Sequence, residues 1–208
     1  MKINGWIMKH EVTTFKSLKA CIKELERFIR NGNHLETGRE FQKFGNLRSR
    51  EVLGCWLLAA VLNHEAKSED IKICTDPLGS DGILFDTKKN ISHPLEQVMI
   101  ARCNPSDKKT EELILELIHK KQNKGGKSYA SGKTLVVFLN RKGDSWYPNR
   151  LTKILPQLDF NAVWVVGLQE MVNDSYSYNV TQLSRGGCPI WRINIKNTFD
   201  DWIIKKIQ

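Results

Sequence analysis

Residues 76–100 read DPLGSDGILFDTKKNISHPLEQVMI, where Asp76-Pro77-Leu78-Gly79 and Lys88-Lys89-Asn90 are turn signals bounding two β-like runs, 82–86 and 95–101. Side chains alternate between the faces of a strand. Asp81, Ile83 and Phe85 therefore share one face of the first run, and Glu96, Val98 and Ile100 share one face of the second. Two carboxylates, Asp81 and Glu96, converge across adjoining strands. Mg²⁺ needs only one or two protein carboxylates, the rest of its octahedron being water and phosphate oxygens. The pair is thus a candidate site for Mg²⁺ or Mn²⁺. A plainer use exists for the aspartates, since Asp76 and Asp81 serve equally well in turns that bond their own backbone. Glu96 lies in an apolar run, where a carboxylate demands a metal, a basic side chain or another cation.

The run 71–75 adds a strand, so 71–101 is predicted to be an antiparallel meander. Residues 51–63 are apolar around most of a helical circumference, with Ser49 as N-cap, which predicts a helix buried against the sheet. Further upstream Phe15, Leu18, Cys21, Ile22, Leu25, Phe28 and Ile29 recur at three- and four-residue steps, predicting an amphipathic helix over 13–30. Asn31-Gly32-Asn33 ends it, and a polar segment, 37–46, follows. Downstream, Asn104-Pro105-Ser106-Asp107 introduces a helix over 110–121 with Leu113, Ile114, Leu117 and Ile118 in one stripe, running out at Gly125-Gly126. The runs 134–139 and 162–168 are continuously apolar and rich in valine, the pattern of parallel strands buried on both faces. A short helix is predicted between them over 148–155. Strands are expected at 176–183 and 189–195, and Phe199, Ile203 and Ile207 at four-residue steps predict a closing helical stripe. The fold class expected is α/β, a mixed central β-sheet flanked by helices, in a single domain 1–208. Residues 1–47 form its N-terminal helical extension and 48–208 its core.

With 40% hydrophobic and 26% charged residues the composition is that of a globular chain, and the longest apolar run, 52–62, is too short to span a bilayer. No secretion signal is evident in Met1-Lys2-Ile3-Asn4-Gly5-Trp6, so a soluble cytoplasmic protein is expected. Cys21, Cys55, Cys74, Cys103 and Cys188 are odd in number, widely spaced and mostly in apolar segments. They read as reduced core residues, and neither they nor the five histidines make a zinc pattern. The net charge of +9 favours an anionic partner, above all nucleic acid.

At Asp81 and Glu96 the sequence resembles the PD-(D/E)xK, or restriction-endonuclease-like, nuclease superfamily. The resemblance covers roughly 49–139: an upstream helix carrying an acidic residue, Glu51, then the hairpin, a helix and a buried strand. It implies a restriction-endonuclease-like core and a Mg²⁺-dependent nuclease that hydrolyses phosphodiester bonds, in DNA more than RNA, in restriction or defence against foreign DNA. Asp81, Glu96 and Glu51 would hold metal. The superfamily places a lysine two residues after the Glu, and here that position is Val98. Lys121 or Lys120, at the end of the following helix, are the candidates to replace it. Some branches carry a Gln and a Tyr after the hairpin, to which Gln122 and Tyr129 correspond in region though not in spacing. Val98 favours the alternative, a catalytically inactive nuclease-fold module that binds nucleic acid or a partner protein, as a homodimer or beside another subunit.

Gly126-Lys127-Ser128 and Gly132-Lys133-Thr134 imitate the end of a phosphate-binding loop, but Lys121 and Lys127 stand where the earlier glycine belongs, and the second runs into a strand. The concentration of Lys120, Lys121, Lys124, Lys127 and Lys133 instead suits either a nucleic-acid backbone or a solvated loop. His93, beside Pro94, reads as a turn residue before a general base. Trp146, Trp191 and Trp202 would anchor an interface if exposed, although aromatics more often fill cores.

Overall fold

The valine-rich runs lie at the centre of one large sheet, and the other elements are arranged by what those runs need to bury. The computed structural model describes residues 12–32, 36, 38–77, 79–101, 108–140 and 145–208. Along the chain come β1 (Phe15–Lys16), α1 (Leu18–Arg30), β2 (Glu40–Phe41), a 3-10 turn (Gln42–Phe44), β3 (Leu47–Arg48), α2 (Ser49–Ala66), β4 (Ile71–Cys74), β5 (Ile83–Asp86) and β6 (Ile91–Ile100). They are followed by α3 (Thr110–Asn123), α4 (Gly126–Ala130), β7 (Thr134–Leu139), α5 (Pro148–Lys153), β8 (Ala162–Val172), β9 (Ser175–Leu183), β10 (Ile190–Ile195) and β11 (Trp202–Lys206).

Nine strands form a sheet of order β1-β4-β5-β6-β7-β8-β9-β10-β11, and β2 and β3 pair separately. β4, β5 and β6 are the antiparallel meander. β6 to β7 and β7 to β8 are parallel, with helices in the crossovers, and the remaining pairs are antiparallel. The sheet is therefore mixed and helix-flanked. Alternation on β7 decides the layers. Val136 and Phe138 join the apolar cluster of α1 and α2, whereas Leu135 and Val137 join that of α3 and α5.

α2 is buried over most of its length because both its sheet-facing side and the side under α1 are covered. Ser49 is its first residue, not its cap. Arg48 is the N-cap, and its backbone N–H donates to Glu51 Oε2 at 2.8 Å. Ser49 is drawn inward instead, its N–H donating to Arg39 O. The N-terminal extension is likewise part of the main body. Trp56 of α2 donates to Leu18 O at 2.9 Å, α1 buries its stripe in the same cluster, and β1 pairs with β4.

Two expectations fail at the other end. The chain closes in β11, antiparallel to β10, and not in a helix. A step of four residues is also twice the period of a strand, so Phe199, Ile203 and Ile207 did not discriminate. Trp202 and Ile204 pack on the core while Ile203 is exposed. β8 also runs past Leu168 to Val172, continuing through the exposed residues Gln169, Glu170, Met171 and Val172 because β9 pairs with it across the turn at Asn173 and Asp174, both at positive φ. Four cysteines, Cys21, Cys55, Cys74 and Cys188, are free and buried. The expectations for Met1–Trp6, Asn33, Thr37, Leu78, Cys103 and 104–107 lie outside the described residues.

Candidate functional site

Where β5 meets β6 the pairing is irregular. Asp81 N–H donates to Leu95 O at 3.0 Å, and Leu95 N–H donates to Gly82 O at 2.8 Å, so Asp81 and Gly82 together face one residue. This is the pattern of a β-bulge, a device that re-aims a side chain. Gly82 has φ +151, and a Cβ there would stand 2.2 Å from Cys55 Sγ, so only glycine fits between the hairpin and α2. The bulge turns the Asp81 carboxylate along β6, where Oδ2 accepts the Gln97 N–H at 2.8 Å.

Glu96 and Gln97, adjacent on β6, point to opposite faces. Gln97 goes under α2. Its Nε2 donates to Glu51 O at 2.7 Å and to Asp81 O at 3.0 Å, and it occupies space left by Gly54, where a Cβ would lie 2.4 Å from Gln97 Oε1. One side chain thus ties the first turn of α2 to the bulge. Glu96 goes towards α3 and is only 6% exposed. Lys133 Nζ donates to its Oε1 at 2.8 Å, and Lys121 Nζ and the Tyr129 hydroxyl donate to Oε2 at 3.1 and 2.5 Å. Burial works against the Glu96 charge, yet these three hydrogen bonds prevail and hold its carboxyl below the ordinary range. Burial, then the Glu96 carboxylate, pushes the Tyr129 hydroxyl well above the ordinary phenol range, keeping it a proton donor. Lys121 also lies 3.8 Å from Asp81 Oδ2, so one ammonium spans both carboxylates.

Asp81 and Glu96 line a cleft of about 770 Å³, together with the first turn of α2 and Lys121, Lys124, Tyr129 and Lys133. Glu51, at the third position of α2, is held by the Arg48 N–H and lies 3.5 Å from Arg50. Burial raises its pKa, and the charge of Asp81 adds to the rise. Glu40, Glu51, Asp76, Asp81 and Glu96 all line the cleft, and of these Asp81 and Glu96 are linked through one cation. No family, curated protein or solved structure matches this chain.

The structure brings seven of the residues singled out in the sequence into one cleft, Glu51, Asp81, Glu96, Lys121, Lys124, Tyr129 and Lys133, and Lys133, expected only among the basic residues of the loop, bonds Glu96 directly. Val98, at the superfamily's lysine position, packs on the core of α3 and α5, so the cations reach Glu96 from α3 and from the segment preceding β7. Lys120 is exposed, outside the residues lining the cleft. Lys124 lines the cleft and stands over the Tyr129 ring at 5.9 Å, whereas Lys127, also exposed, does not line it. Gln122 is buried elsewhere, its Nε2 donating to Gln157 O and Asp159 Oδ2. The basic glycine-rich stretch is partly helical, and α4 is what sets Tyr129 against Glu96. His93 pairs across from Leu84 and is outside the cleft lining. Trp191 is buried with its Nε1 on Glu65, Trp202 packs edge-on against Trp56, and Trp146 packs on the second core, so none is an exposed anchor.

Gln97 and Arg50 escaped the sequence reading. A signal for Gln97 existed: it alternates with Glu96, so on a strand covered on both faces it had to be buried and bonded. Among the described residues no group of three or more His, Cys, Asp or Glu side chains is placed to hold a metal ion. Asp81 and Glu96 form a two-carboxylate site. Its donors are hard oxygens, and both carboxylates already reach a single positive charge, which fits a small divalent cation that keeps most of its waters.

Proposed function

We propose that the chain is a divalent-metal-dependent phosphodiesterase with a restriction-endonuclease-like core, acting on DNA and serving in restriction or defence. The observation that carries this reading is the shared Lys121 ammonium, 3.1 Å from Glu96 and 3.8 Å from Asp81. Two hard carboxylates converge on one cation position in an open cleft walled by further lysines. Asp81 and Glu96 would hold Mg²⁺ or Mn²⁺ there, with Glu51 assisting from the side. A bound ion of this kind supplies a Lewis acid for the scissile phosphate and a water of lowered pKa.

The chain's own residues do the rest. Gln97 fixes the direction of Asp81 through its backbone N–H, and the Gly82 bulge sets the distance. Tyr129 and Lys133 orient Glu96. Lys121 plays the part of the lysine missing at Val98, offsetting charge that develops on the phosphate oxygens. Lys124 offers a backbone contact.

Cleavage of labelled DNA and RNA with Mg²⁺ or Mn²⁺ tests the proposal. Asp81→Asn and Glu96→Gln are expected to reduce DNA cleavage by at least about 10²-fold, the scale of removing a transition-state stabiliser. Full activity in both variants would contradict it.

A second reading, a non-catalytic nucleic-acid-binding module, is favoured by a separate observation. Glu96 already has a cation on each oxygen, a self-sufficient ion-pair network with no metal required. Metal-independent DNA binding without cleavage is the outcome that selects it.

A further inference from the structure

The first turn of α2 enters the cleft beside the carboxylates, and Arg50, its second residue, is 6% exposed. A guanidinium so withdrawn from water needs partners for five donors. Among the described residues Arg50 Nε is buried with none, Nη1 meets only the Met99 sulfur at 3.6 Å, and Nη2 stands 3.5 Å from Glu51 Oε1. The thioether is a weak acceptor, and the carboxylate is at the limit of hydrogen-bond reach. The same spot receives the positive end of an 18-residue helix, which favours an anion. An under-bonded guanidinium and a helix N-terminus thus line one cleft.

We propose that Arg50 and the N-terminus of α2 form a phosphate-binding subsite for a nucleic-acid backbone, seating a phosphodiester that neighbours the scissile one rather than the scissile one itself. Planar guanidinium geometry matches two phosphate oxygens at once. The diester is preferred to a free or terminal phosphate because Glu51, Asp81 and Glu96 lie in the same cleft and oppose a dianion. A polymer compensates by presenting further phosphates to exposed cations such as Lys124. The subsite deepens the phosphodiesterase reading and rests on it for the identity of the polymer.

Anisotropy of a fluorescein-labelled DNA duplex, measured in EDTA, reads binding without cleavage. Arg50→Gln is expected to weaken binding roughly tenfold or more and to lower the salt slope by about one, with Arg50→Lys intermediate. Exposed Lys88→Ala is the control and binds like wild type. Binding by Arg50→Gln within about twofold of wild type overturns the subsite. Because a buried arginine can matter for folding, the wild-type protein is also titrated while the Arg50 Nε–H resonance is followed by NMR. A saturable shift with the duplex is expected; no shift at saturation, or an equal response to inorganic phosphate, overturns the assignment. The outcomes separate from those of the parent reading. Arg50-dependent binding with cleavage indifferent to Asp81 and Glu96 sinks the nuclease and leaves the subsite, and the reverse result does the opposite.

Discussion

Glu96 is a buried carboxylate whose oxygens are shared among two ammonium groups and a phenol. Its place in an apolar run implied that it needs a cation, and it has two, Lys121 and Lys133, with Tyr129 as a neutral donor. Which cations they would be was only partly legible. Lys121 stands on a helix whose stripe could be counted, whereas Lys133 reaches Glu96 because β7 lies parallel to β6, a long-range pairing that no local pattern encodes. The electrostatics give a signed prediction. The folded pKa of Glu96 is depressed, so its contribution to stability is present above the ordinary carboxylate value of about 4.3 and is lost as pH falls through the lower folded value. Glu51 has the opposite sign: its pKa is raised, so its contribution is full below that ordinary value and is lost as pH rises through the folded one. In urea unfolding across pH 3–7, within reach of both groups, Glu96→Gln is expected to lose about 1.5–3 kcal/mol at neutral pH, the scale of hydrogen bonds to a charged group. Its acid limb should be flatter than that of wild type. A variant as stable as wild type with an unchanged acid limb would show that the Glu96 network contributes nothing.

At the scale of elements, the three- and four-residue steps over 13–30 revealed the helix, although it begins only at Leu18 because Phe15–Lys16 pairs with β4; the apolar runs 51–63, 71–75 and 134–139 marked α2, β4 and β7 by their length and hydrophobicity. β11 was not legible in this way. Spacing by four suits a helix and a strand alike, and what decides for the strand is the pairing of 202–206 with β10, together with Trp202 set edge-on against Trp56 at a centroid distance of 5.1 Å. Two measurements check this element. Amide exchange over 202–206 should alternate between protected and open, as on an edge strand bonded along one side, whereas uniform protection would restore the helix. Trp202→Ala should destabilise the protein by about 2–4 kcal/mol, somewhat less than loss of a fully buried tryptophan, since Trp202 is half-buried. The bulge at Asp81 and Gly82 was equally hidden, although Asp-Gly marked the place as irregular. Its need for glycine comes from Cys55, some 27 positions away by the count of residue numbers, on α2.

For the whole molecule, one mixed sheet with helices on both faces places the start of α2, the bulge before β5, the middle of β6 and the end of α3 around a single cleft. Opposite faces of β6 supply its two sides: Gln97 braces the floor against α2, and Glu96 receives the cations from α3 and the approach to β7. The net charge of +9 belongs to the chain as a whole and would attract a polyanion without specifying where it binds. The phosphodiesterase proposal requires Asp81 and Glu96 to accept a divalent ion where the Lys121 ammonium now spans them. Mn²⁺ binding followed by electron paramagnetic resonance reads this without any need for catalysis. Wild-type protein is expected to bind Mn²⁺ in a saturable way, with Asp81→Asn and Glu96→Gln each weakening that binding about tenfold or more, in line with a site having few protein ligands. No saturable Mn²⁺ binding, or binding that both variants retain, would contradict the account.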